Sequence, residues 1–338
     1  MPRILLTQSI HPLAQARLAE LGEVIVPHDT APETLRASAA RCDVVMVRAQ
    51  FPDDIFDAAP SLIGAVRHGA GVDMIPIQAA TAHGVLVANV PGVNANAVAE
   101  HVLRSMLQLA RGSAAVAALL ATERSAGWAR ARALADRGFE LRGRTVGLIG
   151  FGHVGRAVAR LCGLGFGMQV LAHTRSAPVD GAAAQPAALS ELLAQSDFVV
   201  LACPLTEATR GLIGAAQLAL MRPSACLINV ARGPVVAESA LIEALLAHRI
   251  AGAALDVFDT QPLPDAHPYW RLPQVILTPH VAGLSEESMR AMGTRAALAV
   301  EHLLRGEVPA HCINPQAISA FERRVRQPAP SFGGVQRS

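Results

Sequence analysis

One stretch of the chain, TVGLIGFGHVGRAVA at residues 145–159, decides how the rest is interpreted. Its glycines Gly150, Gly152 and Gly155 have the spacing G-x-G-x-x-G, after a segment typical of a strand and before one typical of a helix. In this context the first glycine permits a tight turn, the second lets the backbone approach a pyrophosphate, and the third lets helix and strand pack closely. The stretch therefore predicts the phosphate-binding loop of a dinucleotide-binding Rossmann domain.

The residues that follow this loop bear on which dinucleotide binds. The N–H groups at the start of the helix, at His153 and Val154, suit a negatively charged pyrophosphate. An NAD-binding domain normally ends its second strand on an acidic residue, but here Thr174 takes that place, followed by Arg175 and Ser176. Because nothing there repels a 2′-phosphate and a guanidinium can bind one, the sequence favours NADP, with NAD as the open alternative.

Short apolar runs alternate with helical patterns on both sides of the glycine stretch. The first series runs from Ile4 to Val87 and breaks at the Pro/Gly turn 89–92, and the second runs from Thr145 to Leu277. Such alternation predicts βαβ units and parallel sheets. With 338 residues the chain exceeds the usual size of one hydrophobic core, so we expect an α/β protein with two Rossmann-like, doubly wound domains.

The composition limits the classes of partner. Hydrophobic residues make up 51% of the chain, charged residues 17%, and the net charge is +2 without any basic run, so we expect neither nucleic acid nor membrane as a partner. The sequence shows neither a bilayer-spanning apolar stretch nor a signal peptide, and we expect a cytoplasmic protein. Its five cysteines lack the spacing of metal ligands, so no metal is predicted.

Three segments are harder to assign. An Ala- and Leu-rich pattern from about Asn94 to Leu120 predicts one long helix that is apolar on more than one face. Residues 113–142 contain Trp128 and little periodicity, which is equally consistent with an arm over a neighbouring subunit and with a surface loop. Residues 323–338 lack apolar periodicity and are predicted to form a disordered tail.

Polar residues stand directly after three of the later predicted strands. They are Arg232 in NVARGP (229–234), Asp256 in LDVF (255–258) and His280 in TPHVAG (278–283). Residues just beyond the carboxyl ends of parallel strands line the cleft of a doubly wound sheet, so these three should converge beside the nicotinamide. A guanidinium and an imidazole at that place suit an oxo acid.

Further motifs occur in a fixed order: RHGAGVD at 67–73, NVPG at 89–92, NANAVAEH at 94–101 and CPLT at 203–206. With the segments above, this layout resembles the D-isomer-specific 2-hydroxyacid dehydrogenases, the family of D-3-phosphoglycerate dehydrogenase and of glyoxylate and hydroxypyruvate reductases. The resemblance extends from Val44 to about Leu304. It implies a discontinuous, flavodoxin-like substrate domain (1–93 and 285–322) around a nucleotide domain (94–284), and a homodimer joined through the nucleotide domain and its arm, 113–142.

The resemblance also implies a role for each motif residue. Arg232 would bind the substrate carboxylate and polarise the oxo group, while His280 would act as general acid in reduction and general base in oxidation. The backbone amides of Ala70, Gly71 and Val72 would hold the other carboxylate oxygen. The remaining predicted contacts are Cys203, Pro204, Thr209, Val230, Ala231, Asp256 and Gly283 for the cofactor, and Arg48, His68 and Asn94 for the substrate.

One position departs from the pattern of the family. Its members normally have a Glu directly before the Pro that follows the Asp-Val-Phe segment, to pair with the catalytic His, whereas this chain has Gln261. An amide can orient the ring but adds no charge, so we expect His280 to be neutral more readily than in relatives, which favours oxidation near neutral pH. Asp259 could replace the missing acid only if the turn swings it inward.

The sequence therefore predicts an oxidoreductase that transfers a hydride between NAD(P) and a small anionic 2-oxo or 2-hydroxy acid. Two alternatives stay open. A dinucleotide-sensing corepressor of the C-terminal-binding-protein type shares the fold and motifs, but it would need a peptide-binding patch of which the sequence shows no sign. Formate dehydrogenases of the same superfamily also carry Gln beside the catalytic His, since formate oxidation moves a hydride without acid–base work.

Overall fold

The computed structural model of the protein describes residues 1–175 and 183–326. The strands are β1 Arg3–Leu6, β2 Glu23–Ile25, β3 Val44–Val47, β4 Gly64–Arg67, β5 Leu86–Ala88, β6 Thr145–Ile149, β7 Gln169–His173, β8 Gln185–Pro186, β9 Phe198–Leu201, β10 Cys226–Asn229, β11 Gly252–Leu255 and β12 Val275–Leu277. The helices are α1 Pro12–Leu21, α2 Pro32–Ala39, α3 Ile55–Ala58, α4 Ile77–Ala82, α5 Ala95–Arg111, α6 Ser113–Glu123, α7 Trp128–Ala135, α8 His153–Arg160, α9 Leu189–Gln195, α10 Ala215–Leu220, α11 Glu238–Leu246, α12 Glu286–Leu304 and α13 Ile318–Arg326.

Two compact units make up the described chain. The first consists of Met1–Asn94 and the described residues from Ser285 onward, and the second of the described residues within Ala95–Leu284. The sheet of the first unit has the strand order β2-β1-β3-β4-β5, and that of the second has the order β12-β11-β10-β9-β6-β7-β8. Neighbouring strands run parallel throughout both sheets. The α/β class with doubly wound parallel sheets, predicted from the alternating pattern, is confirmed.

The sheet of the second unit is covered on both faces. Successive residues of a strand point to opposite faces, so Val199 packs with the cluster that includes α9, α10 and α11, while Val200 packs with α5 and α8 on the other face. This is why the strands are apolar throughout. The register places Asn229 opposite Leu255, and Leu255 opposite Leu277, so the residues that follow β10, β11 and β12 lie along one edge of the sheet.

The first unit follows the same principle with a smaller sheet. Ile4 and Leu6 of β1 pack with α1 and α12, whereas Leu5 packs with α2 and α3 on the opposite face. The outer strand β5 is bordered by the segment 311–314. Ile313 donates its N–H to the Val87 carbonyl at 2.7 Å, and the buried Asn314 side chain accepts from Val87 N at 2.8 Å and donates to Val85 O at 2.9 Å.

The single long helix predicted from Asn94 to Leu120 is wrong. Gly112 has a φ of 57°, which a right-handed helix cannot accommodate, and it separates α5 from α6. The segment 113–142, which the sequence left open between an arm and a surface loop, contains α6 and α7. No residue of α6 is buried, although the helix is rich in Ala and Leu.

The predicted tail is also partly wrong. Residues 323–326 belong to α13, which is anchored by the buried side chain of Phe321 and by a hydrogen bond of 2.8 Å from Arg324 to the His83 carbonyl. The helix was missed because one aromatic anchor among three arginines leaves little apolar periodicity. The rest of the predicted tail lies outside the described residues. Within the described ranges we find no helix with the length and apolar character of a membrane span.

Candidate active site

The glycine loop has the geometry that its sequence predicts. Gly150 follows β6 with a φ of 100°, and a Cβ there would lie 2.7 Å from the carbonyl carbon of Ala202. A Cβ at Gly155 would lie 2.3 Å from Gly150 O, so helix and strand pack too closely for any side chain. Gly152, by contrast, faces open space, with no described atom other than those of its two chain neighbours within 4 Å of its Cβ position. The loop therefore leaves room for a ligand at Gly152.

Helix α8 begins at this open position. The first backbone hydrogen bond of the helix, between residues four apart, runs from Arg156 N to Gly152 O at 3.0 Å. The N–H groups of His153 and Val154 precede it and therefore have no partner inside the helix. His153 is exposed and Val154 is half-buried. Donor groups at a helix N-terminus beside a glycine that leaves open space fit the pyrophosphate of a dinucleotide.

The end of β7 carries no acid among its described residues. Thr174 is half-buried and Arg175 is exposed, while Ser176 lies outside the described residues. Burial raises the pKa of the Cys203 thiol, and the Arg175 guanidinium is near enough to oppose that effect. Arg175 is thus a cation close to the segment that follows β9, which is compatible with a 2′-phosphate at this end of the loop.

The segment after β9 forms a turn held by Thr209. The Thr209 hydroxyl donates to the Pro204 carbonyl at 2.7 Å and accepts from Thr206 N at 2.7 Å. Only 7% of Thr209 is exposed. Its side chain therefore shapes the turn from within, so the structure does not favour the predicted direct contact between Thr209 and a cofactor. Cys203 and Pro204 form the start of the same turn.

Arg232 is placed by a buried asparagine at the end of β10. Asn229 donates from Nδ2 to the Arg232 carbonyl at 3.0 Å and accepts from Ala231 N at 3.0 Å. The Arg232 guanidinium donates to the Ala231 carbonyl at 2.7 Å. Val230 and Arg232 are half-buried, whereas Ala231 is buried. Asn229 was not predicted as a site residue, although it is the first residue of the NVARGP motif that contains Arg232.

His280 occupies an unusual backbone conformation just beyond β12. Its φ is 57°, in the left-handed region that side chains other than those of Gly, Asn and Asp seldom adopt. The His280 N–H donates to Asp256 O at 2.9 Å and to Thr278 O at 3.0 Å. Such a conformation costs about 1–2 kcal/mol and persists at functional sites when the surroundings hold it.

Gln261 is the side chain that orients the His280 imidazole. Its Oε1 lies 3.3 Å from Nδ1 of His280, and its Nε2 donates to the Phe258 carbonyl at 3.3 Å. We expected these two residues to be in contact, and in the structure they are. Asp259 instead lies near Glu238 and Arg210; burial raises the pKa of Asp259, Glu238 raises it further, and Arg210 opposes both.

Asp256 holds the loop that carries His280. Asp256 is 2% exposed, and its carboxylate accepts hydrogen bonds from Thr278 Oγ1 at 2.6 Å, Val281 N at 2.9 Å and Ala282 N at 2.9 Å. Hydrogen bonds to a charged group contribute about 1.5–3 kcal/mol each, so together they exceed the cost of the left-handed residue. A contact between Asp256 and the nicotinamide remains a prediction. Gly283, half-buried, follows directly after this loop.

His101 of α5 contacts the same network. His101 ends the NANAVAEH motif, but its contact with this network was not predicted from the sequence. Its Nε2 lies 3.4 Å from Thr278 Oγ1. Burial lowers the pKa of His101, Asp256 partly opposes this effect, and Arg104 adds to it. The two residues are 177 positions apart, so only the folded chain shows that they meet.

In the first unit, Arg67 shapes the loop that follows β4. Its guanidinium donates to Gly71 O at 2.9 Å and to His68 O at 2.7 Å. Among the described residues, the N–H groups of three consecutive loop positions, Ala70, Gly71 and Val72, have no hydrogen-bond partner. Consecutive unpaired N–H groups form a site for an anion. That Arg67 shapes this loop was not predicted from the sequence, because Arg67 is the last residue of strand β4.

Three further predicted substrate residues lie in the first unit. Arg48 is half-buried, donates to the Ser9 carbonyl, and has its pKa lowered by burial. His68 is only 3% exposed, and its Nε2 has no partner within the described chain. Its ring packs near Gly293, so the structure does not favour the predicted direct substrate contact for His68. Asn94 is half-buried directly before α5.

The described residues contain no cluster of side chains that could hold a metal ion. The five cysteines are free thiols, and burial raises the pKa of each of them: Cys42, Cys162, Cys203, Cys226 and Cys312.

Similarity to known proteins extends over most of the chain. The family model "D-isomer specific 2-hydroxyacid dehydrogenase, NAD binding domain" matches residues 103–282. The chain belongs to the D-isomer specific 2-hydroxyacid dehydrogenase family. Among these dehydrogenases, the glyoxylate reductase of Pyrococcus furiosus is 36% identical over 295 residues, 84% of each chain. The glycine loop and the loops of Arg232, Asp256 and His280 all lie within the matched family model.

Two further relatives differ in how much of them the chain covers. The D-3-phosphoglycerate dehydrogenase of Methanocaldococcus jannaschii is 37% identical over 320 residues, 93% of this chain, but the chain spans only 60% of that enzyme. A structure of an NADPH-dependent glyoxylate/hydroxypyruvate reductase from Sinorhizobium meliloti, in complex with NADP and malonate, is 30% identical with a TM-score of 0.80. The similarity extends over 94% of this chain and 97% of the S. meliloti chain.

Proposed function

We propose that the chain is an NADP-dependent oxidoreductase that interconverts a small 2-oxo acid and the corresponding 2-hydroxy acid. The observation that carries the proposal is the contact of 3.3 Å between His280 Nδ1 and Gln261 Oε1. His280 follows β12 at the same edge of the sheet at which Arg232 follows β10. An amide oxygen only accepts hydrogen bonds, so Nδ1 carries the hydrogen and Nε2 of the neutral ring carries a lone pair. Nε2 is then available to remove the proton of a hydroxyl group.

The two directions of the reaction place different demands on His280. In oxidation, neutral His280 accepts the proton of the C2 hydroxyl; in reduction, protonated His280 returns it to the oxygen of the oxo group. Because Gln261 adds no negative charge, the neutral form is favoured, and we propose that oxidation is favoured near neutral pH. The dinucleotide, when bound, accepts or supplies the hydride.

The acid itself would be held through its carboxylate. The guanidinium of Arg232 offers paired N–H donors that match a planar carboxylate and stabilise charge on the oxo oxygen. We propose that the N–H groups of Ala70, Gly71 and Val72, which have no partner among the described residues, bind a carboxylate oxygen. Arg48 and Asn94 are proposed to contact the remainder of the acid. The S. meliloti relative, whose structure holds NADP and malonate, supports a small anionic substrate.

NADP is proposed over NAD because the described end of β7 offers a cation and no acid. Thr174 stands where an acid would bond the ribose 2′-hydroxyl, and Arg175 is exposed beside it. The cofactor contacts proposed for Cys203, Pro204, Val230, Ala231, Asp256 and Gly283 follow from their position around the glycine loop and at the neighbouring strand ends.

A homodimer is proposed from helix α6. None of its residues is buried, although it is rich in Ala and Leu, and Trp128 at the start of α7 is 67% exposed. A large apolar surface that one chain leaves exposed is typical of a protein–protein interface, and we propose that a second copy of this chain buries it. The cytoplasmic location, and the absence of nucleic acid and membrane partners, stay predictions from the sequence.

The test is oxidation of NADPH and of NADH by the purified protein with glyoxylate, hydroxypyruvate and pyruvate, and the reverse reaction with the hydroxy acids in alkaline buffer. Formate is included as a substrate because Gln261 beside His280 is also the arrangement expected for formate oxidation. Turnover of an oxo acid supports the proposal. Turnover of formate alone would contradict it and indicate a formate dehydrogenase instead. Tight dinucleotide binding without any turnover would instead indicate a dinucleotide sensor.

A further inference from the structure

We propose that Thr278 and His101 are positioning residues, which fix the loop of the catalytic His280 through the buried carboxylate of Asp256. This inference rests on the proposed function, since it assigns a purpose to the orientation of His280. The evidence is a continuous chain of contacts: His101 Nε2 to Thr278 Oγ1 at 3.4 Å, and Thr278 Oγ1 to Asp256 Oδ1 at 2.6 Å. All three residues belong to the second unit.

The direction of the hydrogen bonds follows from the chemistry of each group. An ionised carboxylate only accepts, so the single hydrogen of the Thr278 hydroxyl goes to Asp256. The Thr278 oxygen then has lone pairs left, and the hydrogen on His101 Nε2 points to one of them. The chain runs from imidazole to hydroxyl to carboxylate, so each group is held by its neighbour in one orientation.

Asp256 transmits this order to His280. The other two hydrogen bonds of its carboxylate come from the N–H groups of Val281 and Ala282, which directly follow His280. Its backbone carbonyl accepts from the N–H of His280 itself at 2.9 Å. Rotation of the carboxylate would therefore release the residues on both sides of the left-handed position. Thr278 prevents that rotation, and His101 holds Thr278.

The surroundings of His101 favour the neutral ring that this chain of hydrogen bonds requires. The charged groups facing it are Asp256 at the end of β11 and Arg104 on its own helix. A neutral imidazole with its hydrogen on Nε2 can donate without being protonated. The positioning therefore acts at neutral pH, where the enzyme is expected to work.

The experiment compares paired variants of the 338-residue chain. T278V removes the hydroxyl at similar volume, whereas T278S keeps it. H101F removes the donor but keeps a ring, whereas H101Q places an amide N–H near the position of Nε2. T145V is the matched control, because Thr145 is a half-buried threonine at the start of β6 whose hydroxyl makes only a 3.5 Å contact with Gln169.

Three quantities are measured for each variant: kcat, the dissociation constant of NADPH, and the tautomer of His280 by NMR of protein with isotope-labelled histidine. We expect T278V and H101F to lower kcat by about tenfold to a hundredfold, because a displacement of about 1 Å costs that much. The same two variants should mix the two His280 tautomers, with NADPH affinity within about twofold of wild type. T278S, H101Q and T145V should resemble the wild-type protein in all three quantities.

Unchanged kcat and an unchanged His280 spectrum in T278V and H101F would overturn the proposal. So would weaker NADPH binding with the wild-type His280 spectrum, because Thr278 would then act on the cofactor. If the wild-type protein turns over no tested acid, the proposed function fails, but the NMR comparison still decides whether Thr278 and His101 position His280. Melting temperatures identify any variant that is merely unfolded.

Discussion

Nδ1 of His280 lies 3.3 Å from the side-chain oxygen of Gln261, an amide at the position where the family normally has a carboxylate. The contact fixes which ring nitrogen carries the hydrogen, but it supplies no charge to stabilise an imidazolium. Orientation and charge, which a glutamate would combine in one side chain, are thus separated in this protein. That separation can be tested directly.

Restoring the carboxylate should shift the enzyme toward reduction. In Gln261→Glu the negative charge stabilises protonated His280, so the pH range of oxo-acid reduction should extend upward by about one unit or more. Oxidation near neutral pH should weaken at the same time. Profiles of kcat/KM against pH, in both directions, measure the effect, and Gln217→Glu on α10 is the control. Coincident profiles for Gln261→Glu and wild type would mean that charge at this position is irrelevant.

Arg232 should be required as a guanidinium and not only as a positive charge. Arg232→Lys keeps the charge but loses the paired donors, so kcat/KM for the oxo acid should fall by about a hundredfold to a thousandfold. Binding of NADPH, followed by fluorescence titration, should change little. Arg222→Lys, an exposed arginine that donates to Ala194 O at 3.1 Å, provides the comparison. Retention of full activity in Arg232→Lys would remove Arg232 from the proposed mechanism.

The cofactor preference should depend on the end of β7. Thr174→Asp introduces a carboxylate that bonds a ribose hydroxyl and repels a 2′-phosphate, so the ratio of kcat/KM for NADPH to that for NADH should fall by at least about tenfold. Arg175→Ala should lower the same ratio by removing a cation. If Arg175→Ala leaves the ratio at its wild-type value, the 2′-phosphate is bound elsewhere or not at all.

Protonation of His68 should destabilise the first unit in acid. Burial and the nearby Arg48 and Arg67 lower the pKa of His68 from 6.5 to about 4. The unfolded chain therefore takes up a proton that the folded chain resists, so this stability is present above about pH 6.5 and is lost as the pH falls to about 4. The loss is at most about 3 kcal/mol. Denaturant unfolding across this range should show a flatter pH dependence in His68→Asn than in wild type.

The exposed mutant His28→Asn serves as the comparison for that measurement, because His28 is 82% exposed. It should keep the wild-type dependence on pH. A slope in His68→Asn equal to that of wild type would show that another group is responsible.

The proposed dimer should be sensitive to charge on α6. Ala117 is exposed, and Ala117→Glu would place an unpaired charge against the second copy, so the mass measured by light scattering should fall to that of one chain. Ala216→Glu, at an exposed position of α10, should leave the mass unchanged. A single-chain mass for the wild-type protein would contradict the dimer directly.

The parallel sheets, and the polar residues that follow their strands at one edge, could be predicted from the sequence because both follow from local patterns. Buried parallel strands are continuous apolar runs, as in Val44–Val47 and Phe198–Leu201, and the residues after such runs meet at one end of a parallel sheet. Arg232, Asp256 and His280 were found in this way. The contact of Gln261 with His280 followed from family resemblance.

What the sequence did not show depends on contacts between distant positions or on single conformations. The hydrogen bond between His101 and Thr278 joins two motifs that carry no common pattern. The helix break at Gly112 depends on one positive φ in a segment whose composition favours a continuous helix. Likewise, burial of His68 depends on how closely Gly293 lets α12 approach, which no local pattern reports.

The segment 311–314 beside β5 has a consequence for how the molecule behaves in a crowded solution. The outermost strand of an open sheet carries unpaired N–H and C=O groups, which can recruit strands from other molecules and start aggregation. Here Ile313 and Asn314 occupy the N–H and C=O of Val87, so that edge offers no free ladder to a neighbour. Loss of the Asn314 amide would therefore leave this strand edge open to intermolecular strand pairing. Turbidity on heating would reveal the resulting aggregation before any loss of catalysis.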